Sequence, residues 1–304
     1  MDEAKISLLV IAGPTASGKT ALAVDLATAL NGEVVSADSM QIYSGMDIAT
    51  AKPTSGEMRG VPHHLIGVVE PDERFSVAQY APLAHAAIQD IHTRGRLPIL
   101  CGGTGLYIQA VVENLTLTEG EFTQDNTGAW QELQSVDPAA AAKIHPNDQK
   151  RITHALALYH STGVTLTEQN LRSRRAPSPY DALMIFLNAR ERQNLYDRID
   201  RRVDQMLAAG LLEEARSQRQ EARNTAAQAI GYKELEPYFL GQCTLAEAVD
   251  HLKRETRRYA KRQLSWFRRM AREWNERSPG SCAELFIEDH DLLEQAERQC
   301  KCPS

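Results

Sequence analysis

The sequence predicts an α/β protein, a parallel sheet flanked by helices and interrupted by a small all-helical insertion domain. Three observations carry this. Short apolar runs alternate with helical segments over the first third of the chain, and two of those runs end in glycine-rich turns. From about Glu113 to Tyr180 the strand signal disappears, and it returns at Asp181. Strand–helix alternation implies a parallel sheet, because parallel neighbours need a crossover long enough to hold a helix.

Each element follows from its local residues. "ISLLVIAG" (Ile6–Gly13) is an apolar run flowing into glycine, as a buried parallel strand feeding a loop does. "KTALAVDLATAL" (Lys19–Leu30) has helical spacing and stops at Asn31-Gly32, a helix C-terminal signal. "EVVSAD" (Glu33–Asp38) reads as the next strand, "LAHAAIQDIHTRG" (Leu83–Gly95) as a helix, and "RLPILCGGTG" as a strand entering a second glycine turn. "WQELQSVDPAAAAKIHPNDQKRITHALALYHSTG" reads as two or three short helices, followed by the polar linker "TLTEQNLRSRRAPSPY". "DALMIFLNA" (Asp181–Ala189) resumes the sheet. Long helices then fill the chain, with breaks at Gly210, Gly231-Tyr232 and Gly241, and "SPGS" (Ser278–Ser281) precedes a short tail. The expected core domain is therefore 1–112 with 181–304, and the insertion 113–180.

Composition narrows the class. Of 304 residues, 42% are hydrophobic and 24% charged, as in ordinary globular chains. No run approaches the roughly 18 apolar residues of a membrane span. The start, "MDEAKISLLVIAG", lacks the form of a signal peptide. Five scattered cysteines form no disulfide or zinc framework and are expected to be reduced thiols of a cytoplasmic protein. Net charge is −6, yet "HLKRETRRYAKRQLSWFRRMAREWN" (His251–Asn275) holds nine Lys/Arg against two Glu. Leu252, Tyr259, Phe267, Met270 and Trp274 fall near one face of that helix and account for docking on the sheet. The cations over the remainder, Arg257 and Arg258 among them, point to a polyanion, with RNA favoured over a membrane surface.

Gly13-Pro14-Thr15-Ala16-Ser17-Gly18-Lys19-Thr20 fits G-x-x-x-x-G-K-[ST] with a strand before and a helix after, which makes the core P-loop NTPase-like. Loop amides and the helix dipole favour phosphate oxygens, Lys19 would neutralise a terminal phosphate, and Thr20 would ligate Mg²⁺. The motif is specific for polyphosphate and unspecific for which one. No apolar strand downstream ends in an obvious metal-ligating Asp, so a pyrophosphate grip fits better than a hydrolytic switch.

Asp38 closes the second strand, on the crevice side of the sheet, where a carboxylate could take a proton from a nucleophile. A turn cap is the bland alternative. Thr104 in "GGTGLY" stands at another strand end and could hold a bound base or phosphate. Arg190 and Arg192 enter after the returning strand and could clamp phosphate. The charged helix behind them reads as a solvated face. Asp47 and His63-His64 read as structural.

Together, "GPTASGKT", "DSMQIYSGMDIATAKP", "PHHL", "GGTGLY", "DPAAAAKIHPNDQKRI", "QAIGYKE" and "YAKRQLSWFR" resemble the bacterial tRNA dimethylallyltransferases, in family order and over nearly the whole chain. The resemblance implies transfer of a dimethylallyl group from its diphosphate to the exocyclic amine of the adenosine 3′ of the tRNA anticodon. It implies Mg²⁺ and no need for ATP. It implies a diphosphate grip on Thr15 through Thr20 with Arg192, Asp38 as the base, and Ser39, Met40 and Gln41 around the flipped adenine. It makes Thr104 a site contact. Lys150, Arg151, Ile152, Thr153 and His154, and Gln228, Gly231, Tyr232 and Lys233, match segments that touch tRNA. The chain is expected to act as a monomer. One departure stands out: the insertion is short, and no Lys or Arg occurs from Leu97 to Ala142, where family members carry an RNA-contacting arginine. Lys150, Arg151, Arg172, Arg174 and Arg175 are the cations able to compensate. Two other readings of the motifs stay open, a P-loop kinase of a small metabolite or nucleotide and a non-enzymatic RNA-binding P-loop switch.

Overall fold

Residues 5–117, 128–173, 176–221 and 226–301 are described by the computed structural model. Six strands, β1 (Ile6–Ala12), β2 (Gly32–Ser36), β3 (His63–His64), β4 (Leu97–Gly102), β5 (Tyr180–Asn188) and β6 (Cys282–Phe286), form one sheet in the order β3-β2-β4-β1-β5-β6. Every pairing is parallel. All carboxyl ends therefore lie along one edge, with β1 between β4 and β5.

The alternation along β1 shows why the sheet is covered on both faces. Leu8, Val10 and Ala12 join one buried cluster and Leu9 and Ile11 the other. The first cluster packs α3 (Val77–Thr93), α4 (Gly105–Val112), α9 (Arg192–Ala208) and α12 (Leu245–Arg277) on the sheet. The second packs α1 (Lys19–Leu30) and α13 (Leu292–Lys301) on the opposite face. Between β2 and β3 lies the single turn α2 (Ser55–Met58).

Among the described residues four helices separate α4 from β5: α5 (Ala129–Val136), α6 (Pro138–Ala141), α7 (Gln149–Thr162) and α8 (Leu166–Ser173). They bury a small core of their own, including Ala129, Leu133, Ile144, Ile152 and Leu156. Asp137 locks α6 to α8, accepting from Ala140 N–H at 3.0 Å and from Thr167 N–H at 2.8 Å. Beyond α9, α10 (Leu211–Glu221) and α11 (Glu236–Phe239) pack with the segment 40–49 into a third cluster. Ile42, Tyr43, Met46, Leu211 and Leu235 are buried there, and this lobe roofs the carboxyl edge of the sheet.

One expectation changes, and another gains a location. The segment after Ser278–Ser281 is no mere tail, because β6 extends the sheet beside β5 and α13 packs against α1. Its five residues are too short to show period-2 patterning, and the pairing comes from β5. His63-His64 form the edge strand β3, paired to Val34 and Val35. Among the described residues no helix is long and apolar enough to cross a membrane.

Candidate active site

The loop between β1 and α1 turns through left-handed backbone at Ala16 (φ 61°) and Gly18 (φ 89°). Gly18 is the N-cap of α1 and offers no capping side chain, so the first-turn amides are left for an anion. Lys19 folds back, its Nζ donating to Pro14 O at 2.7 Å. Arg198 crosses above, its Nε donating to Ala16 O at 2.8 Å. Arg202 lies one helical turn further along α9 and lines the same cavity. Burial pulls the Lys19 ammonium down to about 8, and burial also lowers Arg198 and Arg202 from the usual arginine range. Among the described residues none of these three cations forms an ion pair. Desolvated cations converging without a carboxylate in ion-pair contact suit an anion.

The cavity encloses about 910 Å³ and runs from the phosphate loop past Asp38, Ser39, Met40 and Gln41 to Gln228, Lys233, Tyr259 and Arg262. Asp38 follows β2, and its Oδ1 accepts from Met40 N–H at 2.9 Å and Gln41 N–H at 3.4 Å. The capping role and a place on the cavity wall coexist in this one side chain. Thr104 stands one layer behind the wall. Its Oγ1 accepts from Ser39 N–H at 2.9 Å and lies 3.2 Å from Ser39 Oγ, while its own N–H donates to Ala37 O. Such closeness requires glycine beside it, since a Cβ on Gly102 would sit 2.1 Å from Ala37 O. Tyr259 of α12 lines the cavity, and burial pushes its hydroxyl pKa up.

Thr20 lines the cavity. Its hydroxyl suits a hard cation that takes most of its ligands from phosphate oxygens and water. Among the described residues no cluster of three His, Cys, Asp or Glu could hold a metal unaided.

Several residues named from the sequence lie elsewhere. Gly13, Pro14 and Ser17 are buried scaffold of the loop, while Thr15, Ala16, Gly18, Lys19 and Thr20 reach the cavity. Arg192 is exposed at the start of α9 and outside the cavity wall, and Arg190 pairs with Asp289. Arg198 and Arg202 take the place over the loop, because the buried stripe Leu195, Ile199 and Val203 turns their face inward. The expectation of a solvated helix face fails there, although the i, i+4 arginine spacing is visible in the sequence. Ile152 is wholly buried in the insertion core, leaving Lys150, Arg151 and His154 exposed and Thr153 half-buried. Gly231 and Tyr232 are buried too, Gly231 still lining the cavity, whereas Gln228 and Lys233 are exposed on it. Arg257 is committed to Asp200, its Nη1 lying 2.5 and 2.7 Å from the two carboxylate oxygens, and Arg258 points outward. Arg172 closes α8, and Arg174 and Arg175 lie outside the described residues.

Glu214 carries no motif in the sequence, yet it organises the cavity roof. Its carboxylate accepts from the N–H groups of Asp47 (2.8 Å), Ile48 (2.6 Å) and Ala49 (2.8 Å) and from Tyr232 Oη–H (3.0 Å). One side chain thus ties the loop after Asp38 to the "QAIGYK" segment. Asp47 itself pairs with Lys52 at 2.6 Å, the structural role expected for it.

Comparison with known proteins settles the family. A model described as IPP transferase matches residues 41–270, and one described as isopentenyl transferase matches residues 6–67. The chain belongs to the tRNA dimethylallyltransferase family. A relative of that name from Halalkalibacterium halodurans is 48% identical over 95% of this chain and 97% of its own. The tRNA dimethylallyltransferase of Bacillus subtilis is 45% identical over 94% and 95%. Among solved structures, the tRNA isopentenylpyrophosphate transferase of Bacillus halodurans superposes with a TM-score of 0.71 at 43% identity, covering 97% of both chains. A eukaryotic dimethylallyltransferase acting on tRNA gives 0.82 at 30% identity, over 96% of this chain and 77% of that one. The fold of this family, a P-loop-type parallel sheet flanked by helices, is the one described above.

Proposed function

We propose that this enzyme transfers the dimethylallyl group of dimethylallyl diphosphate to the exocyclic amine of the adenosine 3′-adjacent to the anticodon of cytoplasmic tRNA, releasing diphosphate. The observation that carries the reading is one cavity joining the cation cluster over the phosphate loop to the carboxylate of Asp38. The amine nitrogen bonds to the allylic carbon, the carbon–oxygen bond breaks, and its electron pair leaves with the diphosphate. Lys19, the first-turn amides of α1, Arg198 and Arg202 neutralise that leaving group, and they do so in a desolvated site where charge stabilisation is strongest. Bound Mg²⁺, held at Thr20, would supply further positive charge to the diphosphate. With Oδ1 of Asp38 occupied by the turn at Met40 and Gln41, Oδ2 is the oxygen that takes the amine proton. Ser39, Met40 and Gln41 line the wall where the adenine would enter after leaving its stack. Lys233 and the outward cations of α12 supply the positive rim an anticodon arm requires, and Gln228 adds a neutral hydrogen-bonding group to it.

The test is turnover with dimethylallyl diphosphate and unmodified tRNA in the absence of ATP. Prenylated tRNA and released diphosphate are expected. ATP consumption with another acceptor and no prenylated product would establish a kinase instead.

A further inference from the structure

Gln263 sits midway along α12, only 6% exposed, within a stretch rich in cations and apolar side chains. Its Oε1 accepts from Thr15 N–H at 2.9 Å, and its Nε2 donates to Gly103 O at 2.9 Å. One carboxamide therefore spans the phosphate loop after β1 and the glycine turn after β4. One partner is a donor and the other an acceptor, so an amide satisfies both. A carboxylate has no proton for Gly103, and an apolar side chain would strand two buried backbone groups. The fit is close: a Cβ on Gly103 would lie 2.4 Å from Gln263 Nε2, and one on Gly105 would lie 2.2 Å from Trp266 Cδ1. Helix α12 is thus seated on that turn by two residues three apart, on one face.

We propose that Gln263 is a positioning residue for the diphosphate, acting through the phosphate loop. By holding Thr15 N–H it turns that amide into scaffold and fixes the chain just before the left-handed Ala16. The first-turn amides of α1 and Lys19 then keep the shape of the cradle before any ligand arrives. The same bond registers the cradle against Thr104 and the basic helix, so the phosphate end and the RNA-facing end of the cavity are built on one strut. The proposal rests on the cavity being the diphosphate site.

Binding of inorganic pyrophosphate with Mg²⁺, measured by calorimetry, tests it alongside the separate KM values for dimethylallyl diphosphate and tRNA. Gln263→Met, which removes both hydrogen bonds of the strut, is expected to weaken pyrophosphate about tenfold, equivalent to about 1.4 kcal/mol, and to raise the KM for the allylic substrate in parallel. The KM for tRNA should stay within about twofold. Gly103→Ala leaves Gln263 in the chain but forces its amide away, and should give the same phenotype even if Gln263→Met fails to fold. The double variant should be no worse than the more severe single one, because both break the same hydrogen-bonded bridge. Wild-type pyrophosphate affinity in both single variants overturns the proposal, as does an equal rise of both KM values with a lowered Tm. A wild-type enzyme that binds no pyrophosphate overturns the diphosphate-site reading itself, and with it this proposal.

Discussion

Asp38 caps a turn through Oδ1 and, on the proposed reading, is also the base, and that shapes how it is best probed. Removing the side chain to alanine would also release the Met40 and Gln41 amides and loosen the adenine-facing turn. Asn keeps the accepting oxygen and removes the base. Asp38→Asn is expected to lower kcat by roughly 10²–10⁴-fold, the usual worth of a general base, while pyrophosphate affinity stays within about twofold. Single-turnover kinetics and calorimetry separate the two. Lys19 offers a pH test. Its ordinary value is 10.5 and burial brings it to about 8, so in the ligand-free enzyme the ammonium loses its proton as pH rises through 8. Diphosphate requires the charged form, hence affinity should be flat below pH 8 and fall towards tenfold per unit above it. In Lys19→Met the affinity is weaker throughout, and the break near pH 8 should vanish from the titration.

At the scale of elements, α9 and α12 set the geometry that the loops display. The α9 face bearing Leu195, Ile199 and Val203 packs on the core and delivers Arg198 and Arg202 over the phosphate loop. Helix α12 buries Leu252, Ala260, Leu264, Phe267 and Met270 and leaves Arg254, Arg258, Lys261, Arg268, Arg269 and Arg272 outward. Two of its cations bind α9, Lys253 through Asp204 (2.6 Å) and Arg257 through Asp200. Reversing Arg257 would therefore disturb helix packing along with any RNA contact. Arg258→Glu combined with Lys261→Glu avoids this. The pair is expected to weaken tRNA binding about tenfold and to flatten its log–log salt dependence by about one unit for each phosphate no longer neutralised. Filter binding across a salt series reads both quantities, and an unchanged slope would assign this face to packing alone.

For the whole molecule, the edge of the sheet furthest from β6 depends on one buried carboxylate. Glu33 of β2 is 1% exposed and meets His64 of β3 (2.7 Å), Arg94 (Nη2 at 2.8 Å) and Arg96 (3.1 Å). The hydrogen bond from Arg94 leads in holding its pKa down to about 2, against 4.5 when unperturbed. A folded pKa below the unfolded one stabilises the fold in full above about pH 4.5, and that stability is lost as pH falls towards 2. Glu33→Gln should lower Tm at neutral pH and shrink the loss of stability between pH 4.5 and 2, as followed by thermal melts across that range. A variant with the wild-type acid profile would place the acid-sensitive carboxylate elsewhere.

Much of this architecture is legible in the residues, for reasons that are local. β1, α1, β2, β4 and β5 announce themselves by apolar runs and stop signals, and the phosphate loop by glycines whose backbone conformation few other residues adopt. The ends of β2 and β4 put Asp38 and Thr104 near the same crevice by topology alone. What stays hidden is contact between distant segments. β6 becomes a strand by pairing with β5, and Glu214 becomes an anchor when α10 brings it to three amides of the segment 47–49. Arg198 and Arg202 enter the cavity in preference to Arg192 because the apolar stripe of α9 sets the helix rotation. Ile152 and Tyr232 belong to segments matching the family's motifs yet face inward, a distinction of packing that spacing could not draw. By itself the sequence determined the fold class, the glycine-lysine loop and the carboxylate sharing its crevice, since each is written within a few neighbouring residues. Only the tertiary structure decided which cations converge on the grip and which amide braces it, because burial and helix rotation are properties of the assembled core.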